Sequence, residues 1–220
     1  MERIDEQLAK IEQFSIKNKT NKQDENNNEN INNESDNTTF TETSDQSQTD
    51  ELTQEQVDEG VENDRLLINK HTLKFAKESF FDGKLSIKLP QDYFKLQQNK
   101  DGLITLMNYE DSVNCIMNYI AGAGSIDLPK IKKSITDNMK ASGMKTTWVE
   151  EGSKLINDNA VGYHVFYNSI PNQKIFNFMI YTVVDGGHVI INFNGDMRSF
   201  KWWKLLAKSL MGTLEIEIGA

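Results

Sequence analysis

Cysteine, proline and histidine are all scarce in this sequence of 220 residues, which has one, three and three copies of them. The single cysteine, Cys115, excludes an internal disulfide and a four-cysteine zinc site. The three histidines, His71, His164 and His188, do not have the spacing of a metal-ligand motif such as HExxH. No apolar run approaches the roughly 20 residues that a membrane span requires. We therefore expect no metal, no cofactor and no membrane insertion.

Charge divides the chain into two unlike parts. Residues 1–64 carry five basic and eighteen acidic side chains, a net charge of −13, whereas residues 65–220 carry nineteen and fifteen, a net charge of +4. Residues 18–49 are mainly Asn, Gln, Ser, Thr, Asp and Glu, which bury too little apolar surface to offset the ~1–2 kcal/mol per residue of lost backbone entropy. We expect a disordered, acidic, asparagine-rich tether within residues 1–64 and one folded domain over residues 65–220.

The first residues of the chain have a helical pattern. Ile4, Leu8 and Ile11 are spaced i, i+4, i+7 and lie on one face of a helix, which Phe14 extends. A helix of about a dozen residues is only marginally stable alone. Two interpretations stay open: a fraying helix without a role, or a docking helix whose apolar face enters the groove of a partner.

No targeting segment is expected at the amino terminus. Four of the first eight residues are charged, and this segment lacks both the apolar stretch of a secretory signal and the arginine-rich, acid-poor character of a transit peptide. These features favour a cytoplasmic protein.

Alternating apolar residues and turn residues predict a series of strands in the second part of the chain. Residues 84–90 alternate most clearly, and Pro90 ends that strand because it has no backbone donor. Residues 90–97 are expected to form a short helical turn. Residues 103–108 and 113–120 predict one antiparallel hairpin, and the Asp185-Gly186-Gly187 turn predicts another. Further strands are expected at 145–151, 160–168, 174–184, 188–194 and 213–218.

Two helices are expected among these strands. The first has an apolar stripe at Leu128, Ile131, Ile135 and Met139, with Ser125 or Asp127 as its cap. The second covers residues 199–211, with an inward stripe at Phe200, Trp203, Ala207 and Leu210. The tight turns indicate mostly antiparallel pairing, with the helices packed on the sheet, which is an α+β fold.

Residues 81–93 resemble the opening hairpin of the PsbP-like superfamily, which includes the DcrB-related bacterial proteins. Residues 183–194, the tryptophan-containing helix and Thr213-Leu-Glu-Ile are similar to the closing elements of that superfamily, so the resemblance covers roughly residues 80–218. It implies an α/β/α sandwich around a mostly antiparallel sheet. It also implies a non-catalytic role, since known members are mostly photosystem subunits, a nuclear-import cofactor and chaperones of secreted effectors.

The sequence shows no set of residues that predicts catalysis. Cys115 lies in an apolar strand, where a thiol is a small buried hydrophobe. The three histidines are expected to be ordinary surface or strand-end residues. Lysines cluster on both helices, but arginine is almost absent and the tether is acidic, so we expect solvated helix faces rather than nucleic-acid binding.

Adjacent tryptophans occur on the second helix. Trp202 and Trp203 point about 100° apart, so one should face the sheet and the other lie nearer the rim. Either both cover the edge of the core, or Trp202 anchors a partner, as exposed tryptophans often do. The candidate partner-binding residues are therefore Ile4, Leu8, Ile11, Phe14 and Trp202.

These observations favour a non-catalytic intracellular module that binds another protein, as an adaptor or a secretion-associated chaperone. The alternative is a carrier or sensor of a small molecule, with a pocket between sheet and helices lined by Tyr163, Phe166 or Phe178. An enzyme is the least favoured class, because catalysis needs convergent titratable groups that the sequence does not display.

Overall fold

The computed structural model describes residues 52–68, 71–122, 125–170 and 173–217. The helices of this part are α1 (Gln54–Glu62), α2 (Leu128–Ala141) and α3 (Phe200–Gly212), with one turn of 3₁₀-helix at Met197–Ser199. Its strands are β1 (Arg65–Ile68), β2 (His71–Phe80), β3 (Leu85–Pro90), β4 (Lys95–Lys100), β5 (Leu103–Asn108), β6 (Val113–Ala121), β7 (Lys145–Ile156), β8 (Asn159–Ile170), β9 (Gln173–Val184), β10 (Gly187–Asp196) and β11 (Glu215–Ile216). None of the described helices is long and apolar enough to cross a membrane.

The strands form two sheets. A seven-stranded sheet has the order β4-β5-β6-β10-β9-β8-β7, and a four-stranded sheet has the order β1-β2-β3-β11. Every strand pair in the described residues is antiparallel. The predicted hairpins β5–β6 and β9–β10 are confirmed, with Leu106 paired to Cys115 in the first and Gly187 paired to Val184 in the second.

One face of the seven-stranded sheet, here called the inner face, is covered by α3, α1 and the small sheet. Trp203, Ala207 and Leu210 of α3 are fully buried, as the predicted stripe requires. They pack against inner-face side chains such as Phe178 and Phe193. This layer is the larger of the two apolar cores, and it gives the domain most of its hydrophobic stabilisation.

Helix α2 covers part of the opposite, outer face. Ile131, Ile135 and Met139 pack against side chains of β8, β9 and β10, and the Asp127 carboxylate accepts a hydrogen bond from the Lys130 backbone N–H to cap the helix. Because helices lie on both faces of an antiparallel sheet, the predicted α+β fold and α/β/α sandwich are confirmed.

The folded unit begins earlier than the expected boundary at residue 65. Helix α1 lies in the segment assigned to the tether, and its capping box joins Thr53 and Gln56. Val57 and Val61 are buried, and the Gln54 side-chain amide donates to the Leu205 carbonyl of α3 at 3.0 Å. Two apolar residues one turn apart are a weak signal in sequence, and contacts with α3 stabilise this short helix.

The helical turn predicted at residues 90–97 is wrong. The chain makes a turn after Pro90 and then enters strand β4 at Lys95. Tyr93 lies in this turn and is buried against the aromatic residues of α3, so the turn depends on tertiary packing rather than on local helical pattern. Ile4, Leu8, Ile11, Phe14 and the tether over residues 18–49 lie outside the described residues, and the expectations for them stay predictions.

Candidate functional site

A groove of about 480 Å³ runs between helix α2 and the edge strand β7. It is lined by Leu128, Pro129, Lys132, Lys133, Glu151, Gly152, Ser153 and His164. Gly162 of β8 allows the helix to lie this close, because a Cβ at that position would be 2.6 Å from a Leu128 methyl carbon. Apolar residues line the groove at the amino end of α2, and polar residues line it along β7.

His164 lies at the buried side of this groove. Its side chain is 1% exposed, so the expectation of an ordinary surface or strand-end residue is wrong for it. The ring lies between Trp148 and Tyr181, with centroids at 5.3 and 5.4 Å. Burial lowers the pKa of His164 to about 4, although Glu151 raises it, so the imidazole is neutral at pH 7. Its Nδ1 atom is buried and has no hydrogen-bond partner among the described residues.

A charged pair covers the rim of the groove. Lys132 Nζ lies 2.5 Å from Glu151 Oε2 and 5.1 Å from the centre of the Trp148 ring. The hydrogen bond from Lys132 lowers the pKa of Glu151. The Glu151 carboxylate also lies 3.8 Å from His164 Nε2. Such a rim offers hydrogen bonds and a neutral imidazole, and these features fit recognition better than proton transfer near pH 7.

Strand β7 forms the outer wall of the groove and one edge of the seven-stranded sheet. It is twelve residues long, and no other described strand pairs with its outer side. Val149 lies at an irregularity in the pairing between Trp148 and Glu150. Val149 is 43% exposed and Leu155 is 77% exposed. A free edge with exposed apolar side chains is a template for an added strand.

The two tryptophans of α3 belong to an aromatic cluster with Tyr93, Phe94 and His71. Trp203 is fully buried and donates from Nε1 to the Tyr93 hydroxyl at 3.3 Å. Trp202 is 8% exposed and packs on Trp203 and His71, so little of its surface is available to a partner.

Asp111 is the residue of this cluster that sequence reasoning missed. The Tyr93 hydroxyl donates to Asp111 Oδ2 at 2.5 Å, and His71 Nε2 lies 3.2 Å from the same oxygen. Burial and the bond to Asp111 raise the pKa of Tyr93. Asp111 lies in the turn between β5 and β6, and the packing of Tyr93 beside this turn brings the carboxylate to the aromatic rings.

The predicted ligand pocket does not form from its three expected residues. Tyr163 and Phe178 stack on the inner face, with ring centroids 5.7 Å apart and planes 7° apart. Phe166 lies on the outer face and packs against α2. All three are buried, so they fill the two cores rather than line one cavity.

Several lysines of the two predicted basic clusters are paired with carboxylates. Lys204 and Lys208 lie 2.9 and 2.5 Å from the Glu150 carboxylate, to which the Tyr163 hydroxyl also donates. Although burial raises the pKa of Glu150, hydrogen bonds from Lys208, Lys204 and Tyr163 lower it to about 2. This network ties α3 to β7. The Lys132–Glu151 pair does the same for α2, so both helices are joined to the edge strand.

The thiol of Cys115 is shielded, and the described part of the chain has no cluster of metal ligands. Cys115 is fully buried on the inner face, and burial raises the pKa of its thiol. No group of three or more His, Cys, Asp and Glu side chains in the described ranges is placed to hold a metal ion.

Comparison with known proteins agrees with this architecture. No protein-family model matches the chain, and no curated protein matches it. Among solved structures, the cyanobacterial PsbP (CyanoP) of Synechocystis sp. PCC 6803 matches with a TM-score of 0.54 and 7% identity, over 68% of this chain and 96% of that protein. PA94 of Pseudomonas aeruginosa, a protein of unknown function, has a TM-score of 0.44 and 9% identity over 66% and 99% of the two chains. LpqN of Mycobacterium tuberculosis, involved in cell envelope biogenesis, has a TM-score of 0.45 and 13% identity over 68% and 94%.

The fold thus defines an α+β sandwich protein built on an antiparallel sheet. More particularly, the chain has the PsbP-like fold that residues 81–93 and the closing elements indicated, and this likeness concerns the fold alone.

Proposed function

We propose that this protein is a non-catalytic module that binds another protein, as an adaptor or secretion-associated chaperone in the cytoplasm. The observation that carries the proposal is the free edge of β7, where Leu155 and Val149 expose apolar surface beside the groove. A partner segment in extended conformation would add a strand to β7 through backbone hydrogen bonds. The groove would accept its side chains.

The shape of β7 indicates where such a segment would bind. The irregularity at Val149 disrupts the regular ladder, as β-bulges do to protect sheet edges. The longer of the two regular stretches runs from Glu150 to Ile156, and it contains Leu155 and the groove residue Glu151. We expect the bound segment to lie along this stretch.

Site-specific photo-crosslinking in native cells tests the proposal. A photoreactive amino acid at position 155 should give one dominant protein adduct of defined size. The matched control is position 96 on β4, because Leu96 is 61% exposed on the opposite edge of the same sheet. Equal adduct patterns at the two positions, or no adduct at position 155, would contradict binding at β7. Cell fractionation of the same samples checks the cytoplasmic location.

A carrier or sensor of a small molecule is the second candidate. The groove volume of about 480 Å³ lies within the range of roughly 300–1,000 Å³ that is typical of ligand sites. His164 Nδ1 has no hydrogen-bond partner among the described residues, so a ligand could donate a hydrogen bond to it or accept one from it. A thermal-shift screen with metabolites tests it. A ligand that raises the melting temperature of the protein, but not that of the His164→Phe variant, would favour this candidate over the first.

A further inference from the structure

Part of the outer face is buried without a described cover. It consists of neighbouring side chains of β5, β6 and β10 in adjacent register, and we call it the asparagine face: Thr105, Asn114, Ile116, Asn118, Asn192 and Asn194. Each of these residues is buried, and Ile116, Asn192 and Asn194 are 0% exposed. Side chains in the middle of an open sheet face would be partly solvated, so their burial requires something above them.

Helix α2 does not reach this part of the sheet. Its apolar stripe packs on Phe166, Met179, Tyr181 and Ile190, and Ile116 belongs to neither of the two apolar cores. Strands lie about 4.8 Å apart, so seven strands span roughly 29 Å, whereas a helix with its side chains is only about 10 Å wide. The outer face therefore has room for a second helix beside α2.

The amino-terminal segment is the part of the chain that is long enough to fill this space. The stretches outside the described residues are 1–51, two residues each at 69–70, 123–124 and 171–172, and three at 218–220. Within the first, Ile4, Leu8, Ile11 and Phe14 share one helical face. The 37 residues between Phe14 and Leu52 can extend to about 120 Å, and a domain of this size is about 40 Å across.

Buried polar atoms of the asparagine face also need hydrogen-bond partners from the segment that covers them. Asn114 Nδ2 donates to Asn194 Oδ1 at 2.9 Å, and Asn192 Nδ2 donates to Asn177 Oδ1 at 3.0 Å. These bonds leave Asn192 Oδ1, Asn194 Nδ2 and Thr105 Oγ1 buried without a partner among the described residues. Buried polar atoms in native proteins nearly always have partners. A segment that carries Glu, Gln and Lys between its apolar residues supplies such partners.

Charge favours the same arrangement. Helix α2, which would lie alongside, has four lysines and one aspartate, a net charge of +3. Residues 1–14 have four acidic and two basic side chains, a net charge of −2. Two neighbouring helices with opposite net charge attract each other, and the attraction weakens with added salt.

We propose that residues 4–14 form a helix that docks on the asparagine face of the same chain, beside α2, with Leu8 and Ile11 directed at Ile116. The amino terminus then joins the folded unit, and the acidic segment that follows it is a loop fixed at both ends.

Solution NMR of the full chain with labelled methyl groups tests this proposal. We expect nuclear Overhauser contacts between the methyl groups of Ile116 and those of Leu8 or Ile11. Their absence would overturn the proposal. Mixing two differently labelled copies of the chain shows whether the contacts arise within one copy or between two. Contacts found only between copies would also overturn the proposal.

Two matched variants test whether the methyl contacts depend on the apolar stripe of residues 4–14. Leu8→Asp places a charge in the apolar stripe, whereas Gln13→Asp places the same charge on the opposite side of the helix. Leu8→Asp should abolish the methyl contacts and accelerate amide exchange over residues 4–14 by more than about tenfold, and Gln13→Asp should preserve both. Equal exchange in the two variants would contradict docking through this stripe.

Discussion

The buried imidazole of His164 makes a quantitative prediction about acid stability. Its pKa is about 4 in the folded protein, against a usual value of 6.5 that the unfolded chain regains. Between these values the unfolded chain binds the proton and the folded protein does not, so stability falls as the pH falls. At 1.36 kcal/mol for each pKa unit, the contribution lost by pH 4.5 is about 2.5 kcal/mol. The loss should be absent above pH 7.

Urea unfolding of the wild type and of His164→Phe, at several pH values from 7.5 to 4.5, measures this loss. Phenylalanine keeps a ring beside Trp148 and Tyr181 but cannot titrate. Any constant cost of the substitution cancels, since only the change with pH is compared. His188, whose pKa is also lowered by burial, is present in both proteins and cancels too.

The result that would refute the reasoning is a free-energy difference between wild type and His164→Phe that stays constant over the whole range. The hydrogen bond from Lys132 lowers the pKa of Glu151, and this pair is present in both proteins, so its contribution cancels in the difference. An NMR titration of the imidazole gives the second test. A pKa above 6 for His164 would show that the ring is solvated in solution.

Three further predictions concern helix α3, its ion-pair network with β7 and the buried thiol. Trp203→Ala should lower the free energy of unfolding by about 3–5 kcal/mol in urea, because Trp203 is fully buried, and a loss below 1 kcal/mol would contradict its place in the core. Glu150→Gln should cost about 1 kcal/mol at pH 7, since Glu150 is 26% exposed, and the difference should vanish as the pH falls from 4.5 to 2; a difference independent of pH would contradict the network. Cys115 should react with a thiol reagent only at the rate of unfolding, and rapid reaction of the native protein would show that its strand opens.

Elements with a regular pattern and clear ends could be predicted from the sequence. Strand β3 alternates and ends at Pro90, and helix α2 has its stripe, its Asp127 cap and Gly143 after its end. Strand β9 is apolar on both sides and proves to be buried on both faces. In each case the local signal and the tertiary environment agree, and such agreement makes an element predictable.

Elements that depend on their neighbours could not be predicted. Helix α1 has only Val57 and Val61 as buried residues, and β2 is largely exposed, so neither has a strong pattern of its own. The candidate groove was missed for the same reason. His164 stands next to buried apolar residues in sequence, but only the packing of α2 over Trp148 and Gly162 makes its environment dry.

The two faces of the seven-stranded sheet differ in the polarity of the side chains that they bury. The inner face is almost wholly apolar, so substitutions there change the free energy of unfolding and reveal little about partners. The outer face buries asparagines and a neutral histidine, which cost desolvation and are retained only where they have partners. Asn192→Leu replaces a buried polar side chain of the outer face with an apolar one, so it should weaken the proposed docking of residues 4–14 while it leaves the inner core intact. For this reason β7, the groove and the asparagine face are the places at which the proposed binding can be tested by substitution in a folded protein.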